Sequence, residues 1–376
     1  MKYELFLKFK KLIIALSKHK CDFEIRVDPR IIEYLLFNYI DDVNKYIVDE
    51  NFFNACRKLK MDFTGVSFKN VDITKLDFSG LRGVKINPQF VCNKDLSAGV
   101  FEGVTFTGPF DETRIVDADF TGSIGAIIDP QTIEDKYLDC IFSDVKFIGS
   151  FDGCSISGSD FSGSEGAVIN PQEINEGDLS KCVFRDVTFT GTFEDTSIVD
   201  SDFTGSEGAI IDPESLADKN LTLTILTNTI IDGGFEDVMI ISTDFRGAKG
   251  KLEINPQMVV NNSLNGCHFG GVNFIGSFEG VSIFKTDFSG SEGAVINPQE
   301  IIDKRLIKCI FCSVTFDGSF DDCDINGSNF IGSEGAIIDL NNVKKIVNDK
   351  TILLDAKIIG NKTKKLGGYN KKDEKK

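Results

Sequence analysis

The chain has no tryptophan and only two histidines, His19 and His268, among its 376 residues. That scarcity argues against His-based metal sites and against most His-dependent catalysis. His19 reads as a surface helix residue, and His268 falls at an outward place beside Phe269. No GxSxG, P-loop, HExxH or EF-hand pattern occurs, so no catalytic, cofactor or metal residue is assigned. No stretch reaches the roughly 18 apolar residues of a membrane span. Near the N-terminus the uninterrupted apolar run is only Leu12 to Leu16, and Lys8, Lys10 and Lys11 break up any signal-peptide core. The expectation is a cytoplasmic protein, or one exported without a cleaved signal, that makes no membrane contact.

Charge is plentiful and unevenly placed. The formal net charge is −17, which argues against a nucleic-acid backbone as a direct partner. Residues 1–60 are net +3 and residues 341–376 net +7, so the body between them carries 18 basic and 45 acidic residues. Self-repulsion that keeps the molecule soluble explains such a body, and so does imitation of a polyanion for a basic partner.

Of the ten cysteines, Cys140, Cys154, Cys182, Cys267, Cys309 and Cys323 each stand two residues before a large apolar residue. They read as small core residues and not as a disulfide framework. Cys309 and Cys312 form a CxxC, but no second pair or nearby histidine completes a zinc site.

Self-similarity organises the rest. The string Ile/Val-Ile-Asn/Asp-Pro-Gln recurs with small changes at Pro88, Pro130, Pro171, Pro213, Pro256 and Pro298, and Leu340 takes the seventh place. The steps are 41 to 43 residues, giving seven units of about 42 residues over roughly 61–342. Within a unit, large apolar residues recur at Ile174, Leu179, Phe184, Phe189, Phe193, Ile198 and Phe203, followed by Gly208 and then Leu216. One step of four (Phe147 to Phe151 in the preceding unit) and one of eight residues interrupt the fives. A period of five matches neither helix nor plain strand, so the chain must turn every five residues. Glycines two places after an apolar residue, such as Gly149 and Gly163, supply positive φ there. In the eight-residue step, Asn170 or its Asp equivalents before proline reads as an N-cap with proline at the first helical position, hence one short helical turn per unit.

Ala118-Asp119-Phe120-Thr121-Gly122, Ser159-Asp160-Phe161-Ser162-Gly163 and Thr243-Asp244-Phe245-Arg246-Gly247 closely resemble the pentapeptide-repeat family. The resemblance covers about three quarters of the chain. It implies an all-β solenoid, a right-handed quadrilateral β-helix with four five-residue faces per coil and two coils per unit. With coils about 4.8 Å apart, about 13 coils make a rod on the order of 60 Å long. The helical turns should then stack in a row along one edge. Twenty-five of the 33 phenylalanines fall on inward positions, among them Phe142, Phe147, Phe161, Phe184, Phe189, Phe203, Phe245, Phe269, Phe288, Phe311 and Phe330.

The ends read as caps. In residues 1–60, a helical N-terminal cap, Leu5, Phe6, Phe9, Leu12, Ile13 and Leu16 form a stripe at helical spacing. With Lys8, Lys11 and Lys18 this helix alternatively suits a membrane surface or a partner. A second helix is expected over 29–47 and a third around 52–58. Residues 343–360 form a C-terminal cap in which Thr351–Leu354 and Ile358–Ile359 complete the last coil or pair with a second chain, and 361–376 a disordered Lys-rich tail.

Outward acids recur in three columns two coils, or about 10 Å, apart. Asp77, Asp119, Asp160, Asp202, Asp244 and Asp287 form the first, each placed to accept hydrogen bonds at a corner. Asp111, Asp152, Glu194, Glu236, Glu279 and Asp321 form the second, and Glu165, Glu207, Glu292 and Glu334 the third. The second and third are the candidate interaction surface. The function expected is a non-catalytic acidic interaction rod for a protein partner with a basic or DNA-binding surface, with homodimerisation through a terminus as a further arrangement. The family resemblance implies an alternative, since some pentapeptide-repeat proteins are similar in shape and charge to B-form DNA and bind bacterial type II topoisomerases.

Overall fold

The computed structural model describes residues 50–344 and 351–360, with residues 8, 11, 12, 14, 15, 30, 32, 37–40 and 46–48. The remainder of the expected first helix, His19 and the tail 361–376 lie outside the described residues. The chain falls into two compact units, Met1–Thr190 and Gly191–Lys376. Both are parallel β-solenoids built from very short strands, and together they supply about 13 turns.

In the first unit Lys85–Ile86 pairs in parallel with Thr105–Phe106, Ile127–Ile128 with Lys146–Phe147, and Val168–Ile169 with Thr188–Phe189. The coils are not of equal length. On the face carrying the first acidic column, Asp77 bridges Val100, Val100 bridges Asp119, Asp119 bridges Ile141 and Ile141 bridges Asp160. The alternate links span 22–23 and 19 residues, so a 42-residue unit is one long coil plus one short coil. The second unit alternates in the same way through Asp244, His268, Asp287, Ile310 and Asn329. The extra residues of the long coil are the segment around each Asn/Asp-Pro.

All 25 phenylalanines assigned inward are buried. In the first unit they stack along the axis, with Phe78–Phe101 centroids 5.7 Å apart at 17°, Phe120–Phe142 6.3 Å at 8°, and Phe161–Phe184 6.1 Å at 13°. The second unit repeats this with Phe245–Phe269 at 5.7 Å and Phe288–Phe311 at 6.1 Å. Burial contributes roughly 1.5–3 kcal/mol per ring, so these columns dominate the stability of each unit, and each coil depends on its neighbours.

One inward position differs from the expectation. Gly208 is exposed, with φ +74, and the inward place belongs to Ile211, fully buried. The eight-residue step therefore runs from Phe203 to Ile211 and not from Gly208 to Leu216. Ile86, Ile128, Ile169, Ile254, Ile296 and Ile338 occupy the same buried place. Only a residue with a side chain contributes to the column, while the glycine makes the bend that leads to it.

The expected helical turn is present as a short 3₁₀ turn at Pro88–Phe90, Pro130–Thr132 and Pro171–Glu173. The Asn or Asp before each proline accepts a hydrogen bond from the main-chain N–H two residues on, as Asn87 does from Gln89 at 3.0 Å and Asp129 from Gln131 at 3.0 Å. The equivalent bonds hold in the second unit, where Asn297 accepts from Gln299 at 3.1 Å. That side chain explains the four-residue step. A Cβ on Gly149 would lie 2.6 Å from Asp129 Oδ1, so glycine lets the shortened corner close over the cap beneath it.

Residues two before a core phenylalanine or leucine form a second internal ladder. Cys140 and Cys182 donate to the carbonyls of Ile115 and Ile156 at 2.8 and 3.0 Å; Cys309 donates to Ile283 at 2.8 Å. Thr243 and Thr286 do the same toward Leu221 and Leu264 at 2.6 and 2.8 Å. Thiol and hydroxyl exchange freely because the site needs only a small donor facing a carbonyl of the coil below. Burial pushes the Cys182, Cys267 and Cys309 thiols up to about 12, and raises Cys140 as well. The thiolate, not the thiol, is the nucleophile. Iodoacetamide at about pH 8 should therefore leave Cys140, Cys182, Cys267 and Cys309 unmodified in the folded chain and modify the partly exposed Cys312. Peptide mapping by mass spectrometry reads this, and modification of the four buried thiols as fast as Cys312 would contradict their placement.

The N-terminal segment holds less helix than expected. Residues 8, 11, 12, 14, 15, 30 and 32 are helical, and a helix α1 spans Glu50–Lys58. The expected helix over 29–47 does not persist. Phe37–Ile40 (β1) and Tyr46–Val48 (β2) form an antiparallel hairpin, and β2 pairs in parallel with Val71–Asp72 (β3) of the solenoid. Aromatic and β-branched residues favour strand here, and the unpaired edge of the solenoid offers main-chain partners that a helix could not use. The helix α1 is tied to the coils by Arg57, which donates to the Asp77 carbonyl and pairs with its carboxylate at 3.4 Å. At the C-terminus Lys357–Ile359 pairs in parallel with Ile337–Asp339, and Ile352 bridges Asn329. These residues continue the solenoid by one coil.

Candidate acidic interaction surface

The three acidic columns differ in what their carboxylates do. In the first, each side chain turns back on its own corner and accepts the N–H two residues on. Asp119 takes Thr121 at 2.9 Å, Asp160 takes Ser162 at 2.8 Å, Asp202 takes Thr204 at 2.8 Å and Asp287 takes Ser289 at 2.9 Å. Asp244 also holds Arg246; burial works to raise its pKa, but the hydrogen bonds and charge of Arg246 outweigh it and the net shift is downward. Asp77 is lowered in the same way, with burial opposed and outweighed by Ser79 and Arg57. This column is corner-forming, and between its members stand Val100 and Ile141 in the first unit and Ile225 and His268 in the second.

In the second column Asp111, Asp152, Glu194, Glu236 and Glu279 are exposed and Asp321 is half-buried. At Asp111, Asp152, Glu279 and Asp321 the main chain is clamped from the coil below by the glutamine after proline. Gln89 Nε2 donates to the Asp111 carbonyl at 2.7 Å, Gln131 to Asp152 at 2.8 Å, Gln257 to Glu279 at 3.1 Å and Gln299 to Asp321 at 2.8 Å. The carboxylates project from fixed corners. The glutamine was legible as a repeated residue, but its reach to the next coil was not, because its target lies about 22 residues away.

The third column lies on the strand face. Glu165 pairs with Lys146 at 2.9 Å, whereas Glu292 and Glu334 stand opposite the neutral Asn273 and Thr315. Glu207 is also exposed. Three residues after each glutamate comes an exposed β-branched residue: Val168 in the first unit, and Ile210, Val295 and Ile337 in the second. Val295 remains 50% accessible and Ile337 47%. The outward half of each Ile/Val-Ile pair was read only as part of the repeat string; the strand alternation that buries Ile296 sends Val295 out. The face is therefore mixed acid and aliphatic, not uniformly anionic.

Among the described residues no group of three or more His, Cys, Asp and Glu could hold a metal ion. His268 Nδ1 meets Asp287 Oδ2 at 3.4 Å, and both residues are half-buried. Cys309 is buried while Cys312 is not, so the CxxC does not present two thiols together. No helix among the described residues is long and apolar enough to cross a membrane.

Five-residue faces wound around stacked phenylalanines make each unit a parallel β-solenoid. No protein-family model matches the chain, and no curated protein matches it. Among solved structures it is similar to HetL, a pentapeptide-repeat protein involved in heterocyst differentiation regulation from the cyanobacterium Nostoc sp. strain PCC 7120, at 10% identity over 76% of this chain and 88% of that one, with TM-score 0.16. It is also similar to a trypsin-treated variant of QnrB1, a plasmid-mediated fluoroquinolone resistance protein, at 14% identity over 70% of this chain and 91% of that one, TM-score 0.16.

Proposed function

We propose that the chain is a non-catalytic scaffold that binds a protein partner through its outward carboxylates and the aliphatic residues set among them. The observation that carries this reading is the strand face of the second unit. Glu292 and Glu334 stand across from the neutral Asn273 and Thr315, and Val295 and Ile337 are exposed beside them. Charge alone serves solubility, but accessible aliphatic surface rimmed by polar groups marks a place where a partner binds. A partner with a basic surface complements it.

The acidic excess of residues 61–340 supports a second, finer reading, in which the partner is a type II topoisomerase and the acids stand in for DNA phosphates. The two readings separate in a supercoiling assay. A phosphate mimic inhibits gyrase at micromolar concentration, and the inhibition fades as salt rises. Replacing Glu165, Glu207 and Glu292 together by glutamine should weaken it; unchanged inhibition removes those residues from the mechanism, and no inhibition by the wild type removes the topoisomerase reading while leaving the scaffold.

A further inference from the structure

The repeat departs from its own pattern most strongly in one stretch of the second unit, and a cleft opens there. Glu214 replaces the glutamine that stands after proline in five other units, at Gln89, Gln131, Gln172, Gln257 and Gln299. A carboxylate cannot donate to the carbonyls of the next coil. Instead Glu214 Oε1 accepts the Glu236 N–H at 3.0 Å. Gly234 makes the space, since a Cβ there would lie 2.2 Å from Glu214 Oε1. One coil further on, the step from Phe245 to Ile254 is nine residues where every other unit has eight, and Lys249 interrupts the third acidic column.

These changes surround a cleft of about 820 Å³, within the size range of binding pockets. Its walls include the carboxylates Glu214, Glu236 and Glu253, and its apolar lining includes Leu252, Met258 and Ile275. Met258 and Ile275 are exposed at 41% and 45%. Lys251, also on the wall, has its charge taken by Asp232 at 2.8 Å, so the cleft is net acidic. Apolar residues set beside carboxylates complement a side chain with an aliphatic stem and a cationic head.

We propose that this cleft is where a basic segment of the partner protein docks, inserting an arginine or lysine. The inference deepens the scaffold reading and rests on it. The test uses the full chain and two fluorescein-labelled peptides of equal charge, one alternating leucine with arginine and one alternating serine with arginine, read by fluorescence anisotropy. The variant E214Q/E236Q/E253Q is compared with E194Q/E279Q/E334Q, which removes the same charge from the same unit. E214Q restores the residue the other units carry, and circular dichroism checks both folds. The leucine–arginine peptide should bind the wild type more tightly than the serine–arginine peptide. It should lose about tenfold more affinity on the cleft variant than on the control. Equal losses on the two variants, or no preference for leucine, would overturn the cleft while leaving the acidic scaffold standing. Failure of the wild type to bind either peptide would overturn both.

Discussion

Phe203→Ala should cost about 3–5 kcal/mol of stability, the range for emptying a fully packed aromatic site. Phe203 is fully buried and meets Phe193 edge-on with centroids 5.7 Å apart. Its main chain donates to Ile225 of the following coil at 3.0 Å, so the coils cannot close over the void without breaking that pairing. Phe90 offers the comparison, being 57% exposed on its 3₁₀ turn; its removal should cost no more than about 0.5 kcal/mol. Denaturant unfolding of the two variants reads the difference. A loss under about 1 kcal/mol at Phe203 would contradict the axial column.

Gly293→Ala should be among the more damaging of the single-methyl additions, and Gly280→Ala is its control. Both glycines are left-handed, with φ +69. A Cβ on Gly280 meets nothing within 4 Å, so alanine there carries only the backbone term of about 1–2 kcal/mol. On Gly293 the Cβ would lie 2.4 Å from the Phe274 carbonyl oxygen. That carbonyl belongs to the strand Asn273–Phe274 of the preceding coil and cannot yield without disturbing the ladder. The variant should lose at least about 2 kcal/mol more than the control, because the left-handed strain is common to both and only Gly293 adds a clash with main chain. Equal losses would show that the coils have slack at this corner.

Much of the interior was readable because it is written locally. A core phenylalanine, the small donor two places before it and the proline turn all lie within a few residues of one another, and every unit repeats them. What was not readable depends on the coil beneath. Gly208 and Ile211 compete for one inward place in the string, and only the pairing of Ile210–Ile211 with Ile230–Ile231 decides it. The hairpin formed by β1 and β2 was hidden because Ile31, Leu35, Tyr39, Val43 and Tyr46 fit a helical stripe equally well; the open edge at Val71–Asp72 settles the contest for β2. Of the candidate surface, the acids were visible as columns and the corner role of the first followed from its place before phenylalanine, but the glutamine clamps that fix corners of the second were not visible, because they reach into the next coil. The cleft beside Glu214 was visible only as a run of small irregularities, each unremarkable alone.

The alternation of long and short coils has a consequence for how such a chain can grow or shrink. Excising one coil would bring two long or two short turns into contact, leaving an Asn/Asp-Pro segment and its glutamine over a corner with no shortened partner. Excising two, for example by joining Pro256 directly to Gln299, sets a long turn where a long turn stood and keeps every cap beneath its glycine. Length in this architecture is therefore quantised in cassettes of two turns, and gene duplication or laboratory truncation that respects that quantum leaves the join indistinguishable from any other.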